Sequence, residues 1–164
     1  MNYSTPSTAP EFSVSSWLNT NEDLTLVNLR GKVVVLHAFQ MLCPGCTLHG
    51  IPQAKEISRV FGGNNLQVIG LHSVFEHHEV MTNKALKVFI DEYRLPFPVA
   101  VDNLHQGSKI PETMEAYEMQ GTPSTVLIDH LGRVRFHHFG QISDLQMGAH
   151  IGNLLAELTA SRSN

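Results

Sequence analysis

The chain has two cysteines in 164 residues, one tryptophan, and no lysine or arginine before Arg30. Each shortage excludes something. The two cysteines lie three positions apart, so a bridge between them closes almost no loop and stabilises little. A disulfide-stapled secreted scaffold is therefore excluded. No second cysteine pair exists to complete a closed zinc site, which usually needs four ligands. The start of the chain, residues 1–10, is polar and lacks both the cationic and the apolar region of a secretory leader. No apolar run approaches the ~20 residues of a membrane span. Lysine and arginine number 11 against 15 aspartates and glutamates, a net charge of −4. That balance gives no reason to expect a nucleic-acid or membrane partner. The expectation is a cytoplasmic protein whose cysteine pair serves chemistry.

The length fits one domain with a core of its own. Residues 1–10 are expected to be a disordered tail and 11–160 the domain. Leu24-Thr25-Leu26-Val27 suggests a short strand. Val33 to Phe39 is β-branched and nearly continuous in hydrophobicity, the pattern of a strand buried on both faces. Pro44 suits the first turn of a helix, where a missing N–H costs nothing. That helix is predicted to run to about Phe61 and to kink at Pro52. Leu66 to Leu71 is a second buried strand. Thr82 can cap a helix from about Asn83 to Tyr93. Val99 to Asp102 is a strand, and Pro111 to Tyr117 a short helix. Ser124 to Ile128 and Val134 to Phe139 flank the turn Asp129-His130-Leu131-Gly132 as a hairpin. Ser143 can cap a last helix to about Leu158. This order predicts an α/β sandwich with a mixed central sheet.

Cys43 falls where a buried strand meets a helix N-terminus. Unpaired N–H groups and the positive end of the dipole lie there, and both favour a thiolate at Cys43 over a thiol. The thiolate is the attacking species in disulfide exchange. Cys46, one turn on, shares the helix face and can resolve the mixed disulfide. Pro44 and Gly45 lie between them. The alternative is a zinc half-site with His49 as a third ligand. No organic cofactor or metal is implied by the exchange reading, because the dithiol itself carries the electrons.

The run Val33 to Cys46, then Gly121-Thr122-Pro123 before a strand, then Ile128-Asp129-x-x-Gly132, resembles the thioredoxin superfamily. Within it the chain is similar to the TlpA/ResA-like and AhpC/TSA redoxin branch, which shares the Leu29-Arg30-Gly31-Lys32 approach. The resemblance covers about residues 11–158. It implies a thioredoxin-like three-layer sandwich and thiol–disulfide oxidoreductase activity. Its substrates would be disulfide- or thiol-containing proteins or small molecules, with a separate redox partner as reductant or oxidant. It also implies a cis Thr122–Pro123 bond whose loop faces the motif, with the backbone of Thr122 and the Pro123 loop docking substrate beside Pro44 and Gly45. Two departures are plain: Leu42 stands where thioredoxins carry Trp, and Pro44-Gly45 replaces their usual Gly-Pro.

Two residues are candidates for proton handling. His37 matches the position of a buried acid in thioredoxins and titrates near neutral pH when unperturbed. It is equally compatible with a core histidine bonded to a carbonyl. Glu76 follows the second strand, near where relatives of this branch hold a carboxylate; the alternative is a solvated loop residue. Phe39 and Gln40 are candidates for a substrate-facing surface, Phe39 also for the core. His72, His77, His78 and Glu79 invite a metal reading, but adjacent histidines point different ways. His137-His138 has the same flaw. Met41, Met114, Met119 and Met147 are filling residues, and Trp17 takes no role. Two rival functions remain open. In a peroxiredoxin-like thiol peroxidase, Cys46 is the peroxidatic cysteine of Pro44-Gly45-Cys46-Thr47, although Phe39 and Cys43 stand where that pattern has Pro and Thr. In a non-enzymatic module, the cysteines and histidines sense redox state or bind metal.

Overall fold

A computed structural model describes residues 6–163. Its centre is β3, Val33–Phe39, in which every residue is buried. The unbroken apolar run explains this, since both faces of the strand are covered. β4 (Leu66–His72) lies parallel to β3, pairing Val35 with Val68 and Phe39 with His72. β5 (Val99–Asp102) continues the parallel half beyond β4. On the other side β6 (Ser124–Ile128) runs antiparallel to β3, and β7 (Arg133–Phe139) antiparallel to β6. Two edge strands, β1 (Ser7–Thr8) and β2 (Val14–Leu18), complete a seven-stranded sheet in the order β1-β7-β6-β3-β4-β5-β2.

Both edge strands differ from the sequence reading. β1, Ser7–Thr8, pairs with Val134 and Arg133, and Ala9 behind it is buried. The part of the expected tail that the structure describes therefore joins the sheet; residues 1–5 lie outside the described residues. β2, Val14–Leu18, pairs antiparallel with β5 and carries Trp17, whose ring meets Phe12 edge-on at 6.2 Å. Its residues are only half-buried, so no apolar run announces it. The strand expected over Leu24 to Val27 is a turn. The Glu11 carboxylate accepts from the Leu26 amide at 2.9 Å, and Leu29 N–H returns to the Thr25 carbonyl.

β3's alternation divides the core. Val33, Val35 and Phe39 pack with the apolar sides of α1 (Ile51–Phe61), α2 (Asn83–Tyr93) and α4 (Asp144–Arg162). Val34, Leu36 and Ala38 pack with Leu26, Leu29 and α3 (Glu112–Ala116) with its flanks Tyr117 and Met119. The three layers are thus unequal, with three helices on one face and one short helix plus turns on the other. The caps are where the sequence predicted them. Thr82 accepts from Ala85 N–H, and Ser143 from Gln146 N–H at 3.3 Å. Asp102, buried at the end of β5, accepts from Ser73 and from the Thr113 and Met114 amides, which ties β4 and α3 to the sheet.

The sequence predicts a kink at Pro52 in the helix after the cysteines; the irregularity instead lies just before that residue. A π-helical stretch over Cys46–Gly50 runs into α1, with Pro52 in the first turn beyond it. Proline cannot donate to the carbonyl four residues back, and the widened turn accommodates that loss.

Candidate active site

Leaving β3, the chain turns once and enters the helix. Cys43 N–H donates to the Gln40 carbonyl at 3.2 Å, and the Cys46 and Thr47 amides close on the Cys43 carbonyl at 3.0 and 3.1 Å. The turn is held from below. Met41 N–H donates to His72 Nε2 at 3.4 Å, and the buried Gln40 side chain accepts from Phe75 N–H at 3.2 Å. Phe39 and Gln40 are both buried, so neither faces a substrate. They form the seat of the motif.

The two cysteines differ in environment. Cys43 is half-buried and Cys46 fully buried, and both are free thiols. The Cys46 amide points at Cys43 Sγ at 3.3 Å, a donor ready for a thiolate. The Cys43 thiol donates to the Thr122 carbonyl at 3.4 Å. Burial pushes the Cys46 thiol up to about 12, helped by its contact with Cys43, while hydrogen bonds from the Gln40 backbone and the Thr122 side chain pull the other way. Desolvation dominates because a thiolate loses more than a thiol on leaving water.

The Thr122–Pro123 peptide bond is cis, and its loop lies against the motif. Two glycines permit the approach. A Cβ at Gly45 would stand 3.3 Å from Pro123 Cδ and 4.0 Å from Cys43 Sγ. A Cβ at Gly50 would come within 2.7 Å of His37 Nε2 and 3.2 Å of Pro123 Cβ. Helix, proline loop and β3 thus converge, with no room for a side chain at Gly50 and little at Gly45. Pro44 is exposed at the opening. Leu42 and Leu48, on either side of it in the chain, are exposed apolar side chains, as is Phe139 at the end of β7.

His37 is buried on β3, with Nδ1 3.2 Å from Thr125 Oγ1 on the neighbouring strand. Its Nε2 has no hydrogen-bond partner among the described residues. The ring lines a cavity of about 440 Å³ that Pro123, His49, Gln53 and Gln141 also line. Burial pulls its pKa down to about 4, so the ring is neutral at pH 7. No hydrogen bond joins it to either cysteine among the described residues. Glu76 is exposed in the loop after β4, and no described hydrogen bond or ion pair links it to the cysteines. The structure therefore brings together Cys43, Pro44, Gly45, Cys46, Thr122 and Pro123, sets His37 just behind them, and leaves Glu76 outside.

Sequence reasoning missed Gly50 and considered His72 only for a metal role. Gly50 carries no motif signal. His72 is buried, with burial lowering its pKa to about 4, and its ring packs on Phe39 at 5.2 Å. Its Nε2 accepts from the Met41 amide and so supports that turn. His77 and His78 are exposed, and no three or more His, Cys, Asp or Glu side chains form a cluster that could hold a metal ion among the described residues.

The AhpC/TSA family profile matches residues 6–137. The chain belongs to the AhpC/TSA family. Relatives of this family member include Protein DipZ of Mycobacterium bovis, 30% identical over 137 residues; these are 82% of this chain but only 19% of DipZ. A thiol-disulfide oxidoreductase ResA of Bacillus thuringiensis is 28% identical over 87% of this chain and 74% of its own length. Among solved structures, a thiol-disulfide isomerase from Corynebacterium glutamicum is 54% identical, with a TM-score of 0.86 over 90% of this chain and 96% of its own. A thioredoxin-like superfamily protein is 53% identical, with a TM-score of 0.88 over 91% of this chain and 96% of its own. These neighbours share the thioredoxin-like fold of this AhpC/TSA chain, and thiol–disulfide chemistry recurs in the relatives' names.

Proposed function

We propose that this chain is a thiol–disulfide oxidoreductase that works through the Cys43/Cys46 couple. The observation that carries the reading is the contrast between the two thiols. Cys43 is reachable and has an amide donor at its sulfur, whereas Cys46 is buried behind it. In the reducing direction the Cys43 thiolate attacks one sulfur of a substrate disulfide. That S–S bond breaks, a mixed disulfide forms at Cys43, and the first substrate sulfur leaves as a thiolate. Cys46 loses its proton and attacks Cys43 Sγ, which releases the second substrate thiol. The substrate gains two electrons and the chain ends as a Cys43–Cys46 disulfide. A dithiol partner recycles it, and the same steps reversed oxidise a substrate dithiol.

The Thr122 carbonyl at Cys43 Sγ, with exposed apolar Leu42 and Leu48 on the motif segment itself, suits an extended polypeptide laid across Cys43. With Nε2 unpartnered among the described residues and its ring behind Gly50 and Pro123, His37 is the candidate to relay the Cys46 proton; its pKa of about 4 suits a passing relay and not a lasting acceptor. A His37→Gln variant is expected to slow resolution while leaving the first attack intact; an unchanged resolving rate across pH would reduce His37 to packing. The cytoplasmic location expected from the sequence belongs to the same proposal and is tested by cell fractionation.

The peroxidase alternative fits the geometry poorly. It needs Cys46 to meet peroxide as a thiolate, yet Cys46 is buried and its thiol is held protonated. The deciding experiment compares Cys46→Ser with Cys43→Ser. Cys46→Ser should accumulate mixed disulfides with thiol substrates, and Cys43→Ser should trap none. Trapping by Cys43→Ser alone would reverse the roles.

A further inference from the structure

A second concavity borders the cysteine site and takes no part in the chemistry above. It is a groove of about 700 Å³ between α1 and the end of α2. Thr47 stands at its head, with its hydroxyl donating to the Cys43 and Pro44 carbonyls at 3.3 Å each. The groove therefore begins at the turn that holds the nucleophile. Ile51, Pro52 and Pro96 give it an apolar floor. Thr47, Ile51, Lys55 and Arg59 recur every four residues, so they follow one helix face. Twelve residues at ~1.5 Å each make that track ~18 Å long, the span of about five residues of extended chain.

The walls of the groove are cationic. Lys55, Arg59 and Arg94 line it with one carboxylate, Glu56. The chain as a whole carries −4, so this groove runs against the overall sign. Arg59 is matched by Glu56, with Nε donating to Oε2 at 2.9 Å. Lys55 is not matched: its ammonium donates to the uncharged Tyr93 carbonyl at 2.7 Å. Arg94 is exposed at the end of α2, and its guanidinium has no hydrogen-bond or ion-pair partner among the described residues. Two cations are thus uncompensated beside an apolar floor.

We propose that this groove binds an acidic, extended segment of a polypeptide substrate whose reacting sulfur stands at Cys43. This deepens the oxidoreductase reading and rests on it. Eight helical residues separate Thr47 from Lys55, ~12 Å, which an extended chain covers in about four residues. The carboxylates it selects therefore lie about three to five positions from the substrate cysteine. A small anionic disulfide is too short to hold Cys43 and reach Lys55 together.

The test uses three peptide disulfides that differ only at positions three to five from the cysteine, carrying Glu, Gln or Lys. Exchange with the wild-type chain should favour the Glu peptide over the Gln peptide by about tenfold in kcat/KM at low salt, the scale of two partly exposed ion pairs. Added salt should shrink that preference. Arg94→Glu should weaken it, and K55E/R94E should invert it toward the Lys peptide. Equal kcat/KM for the three peptides, or a Glu preference unchanged in both variants, would overturn the proposal while the turnover itself upholds the oxidoreductase reading. If no peptide is turned over, binding of a cysteine-free Glu peptide is measured instead. Salt-sensitive binding lost in K55E/R94E upholds the groove on its own, and absence of binding overturns it.

Discussion

The two ends of β6 are built to opposite rules. At its start, Thr122 and Pro123 meet the cysteines, and polar groups there are left open. Among the described residues His37 Nε2 is unpartnered; Cys43 is half-exposed, and Leu42, Leu48 and Phe139 are exposed. Just past its other end, Asp129 is buried, and its carboxylate accepts from the Leu131 and Arg133 amides at 3.0 Å each and from Arg133 Nε at 2.8 Å. Arg135 bridges Asp129, at 3.2 Å, to Glu157 on α4, at 2.6 Å. Burial works against the Asp129 charge, but the two arginines prevail and hold its carboxyl below the usual carboxylate range. Gly132 completes this turn with φ +73°, and a Cβ there would run into the Arg30 guanidinium. A strand five residues long thus connects an ion-paired end, where His130 Nδ1 is the one buried side-chain atom left without a partner among the described residues, to an end built without ion pairs. The ion-paired end ties β7 and α4 to the turn, and the other end leaves Cys43 half-exposed.

That contrast can be broken most severely at Asp129. Asp129→Ala strips the Leu131 and Arg133 amides and both guanidiniums of an acceptor; the arginines are partly exposed and Arg135 keeps Glu157, so stability should fall by about 2–4 kcal/mol. Thermal unfolding reads the loss, while thiol exchange well below the midpoint should persist. A melting temperature within a degree of wild type would erase the distinction between the ends.

Acid titration separates the two ends next. His37 and His72 are buried with pKa values lowered from 6.5 to about 4. Their unfolded forms bind protons first, so their contribution is complete above pH 6.5 and is lost as pH falls toward 4. The loss is up to about 3 kcal/mol for each. Asp129 acts lower: its depressed carboxyl contributes above its ordinary 3.8 and loses that only below it. Stability measured from pH 7 to pH 3 should therefore fall in two stages, and His37→Gln should shrink the first stage only. A single fall below pH 4 would refute the assignment.

Gly50→Ala attacks the open end by sterics. The new methyl meets the His37 ring and Pro123, so a cost of about 1–3 kcal/mol is expected. Exchange should slow as well, because the Pro123 loop and the motif helix can no longer close together. Full stability with full exchange rates would show that the approach is slack. The smallest effect belongs to Ser143, a conventional cap near the same cavity. Ser143→Ala should cost about 1 kcal/mol and leave exchange untouched; a change in exchange rate would tie the α4 start to the site.

Much of this was legible beforehand, for identifiable reasons. β3 and β4 announced themselves by runs of apolar residues, because strands covered on both faces need them. α2 was visible from Thr82 and the spacing of Leu86, Phe89 and Ile90. The edge strands were not legible. Ser7–Thr8 and Val14–Leu18 are short or half-buried, and they exist because β7 and β5 offer unpaired backbone groups. Leu24 to Val27 looked like a strand but is a turn because the Glu11 carboxylate, distant in sequence, claims the Leu26 amide.

By itself the sequence determined the pairing of strand and helix that places Cys43 at a helix start, the Cys46 spacing behind it, and the Thr-Pro loop before β6. Those depend on local pattern, proline geometry and a three-residue interval, which act over a few neighbouring residues. Only the tertiary structure decided which polar groups are satisfied. It buried His37 against Gly50, turned His72 from a candidate ligand into a support for Met41, sent Glu76 into solvent, and gathered Lys55 and Arg94 from different helices into one groove. Burial and hydrogen-bond partnership are properties of packed surfaces, and the chain acquires them only when residues far apart in sequence are brought into contact.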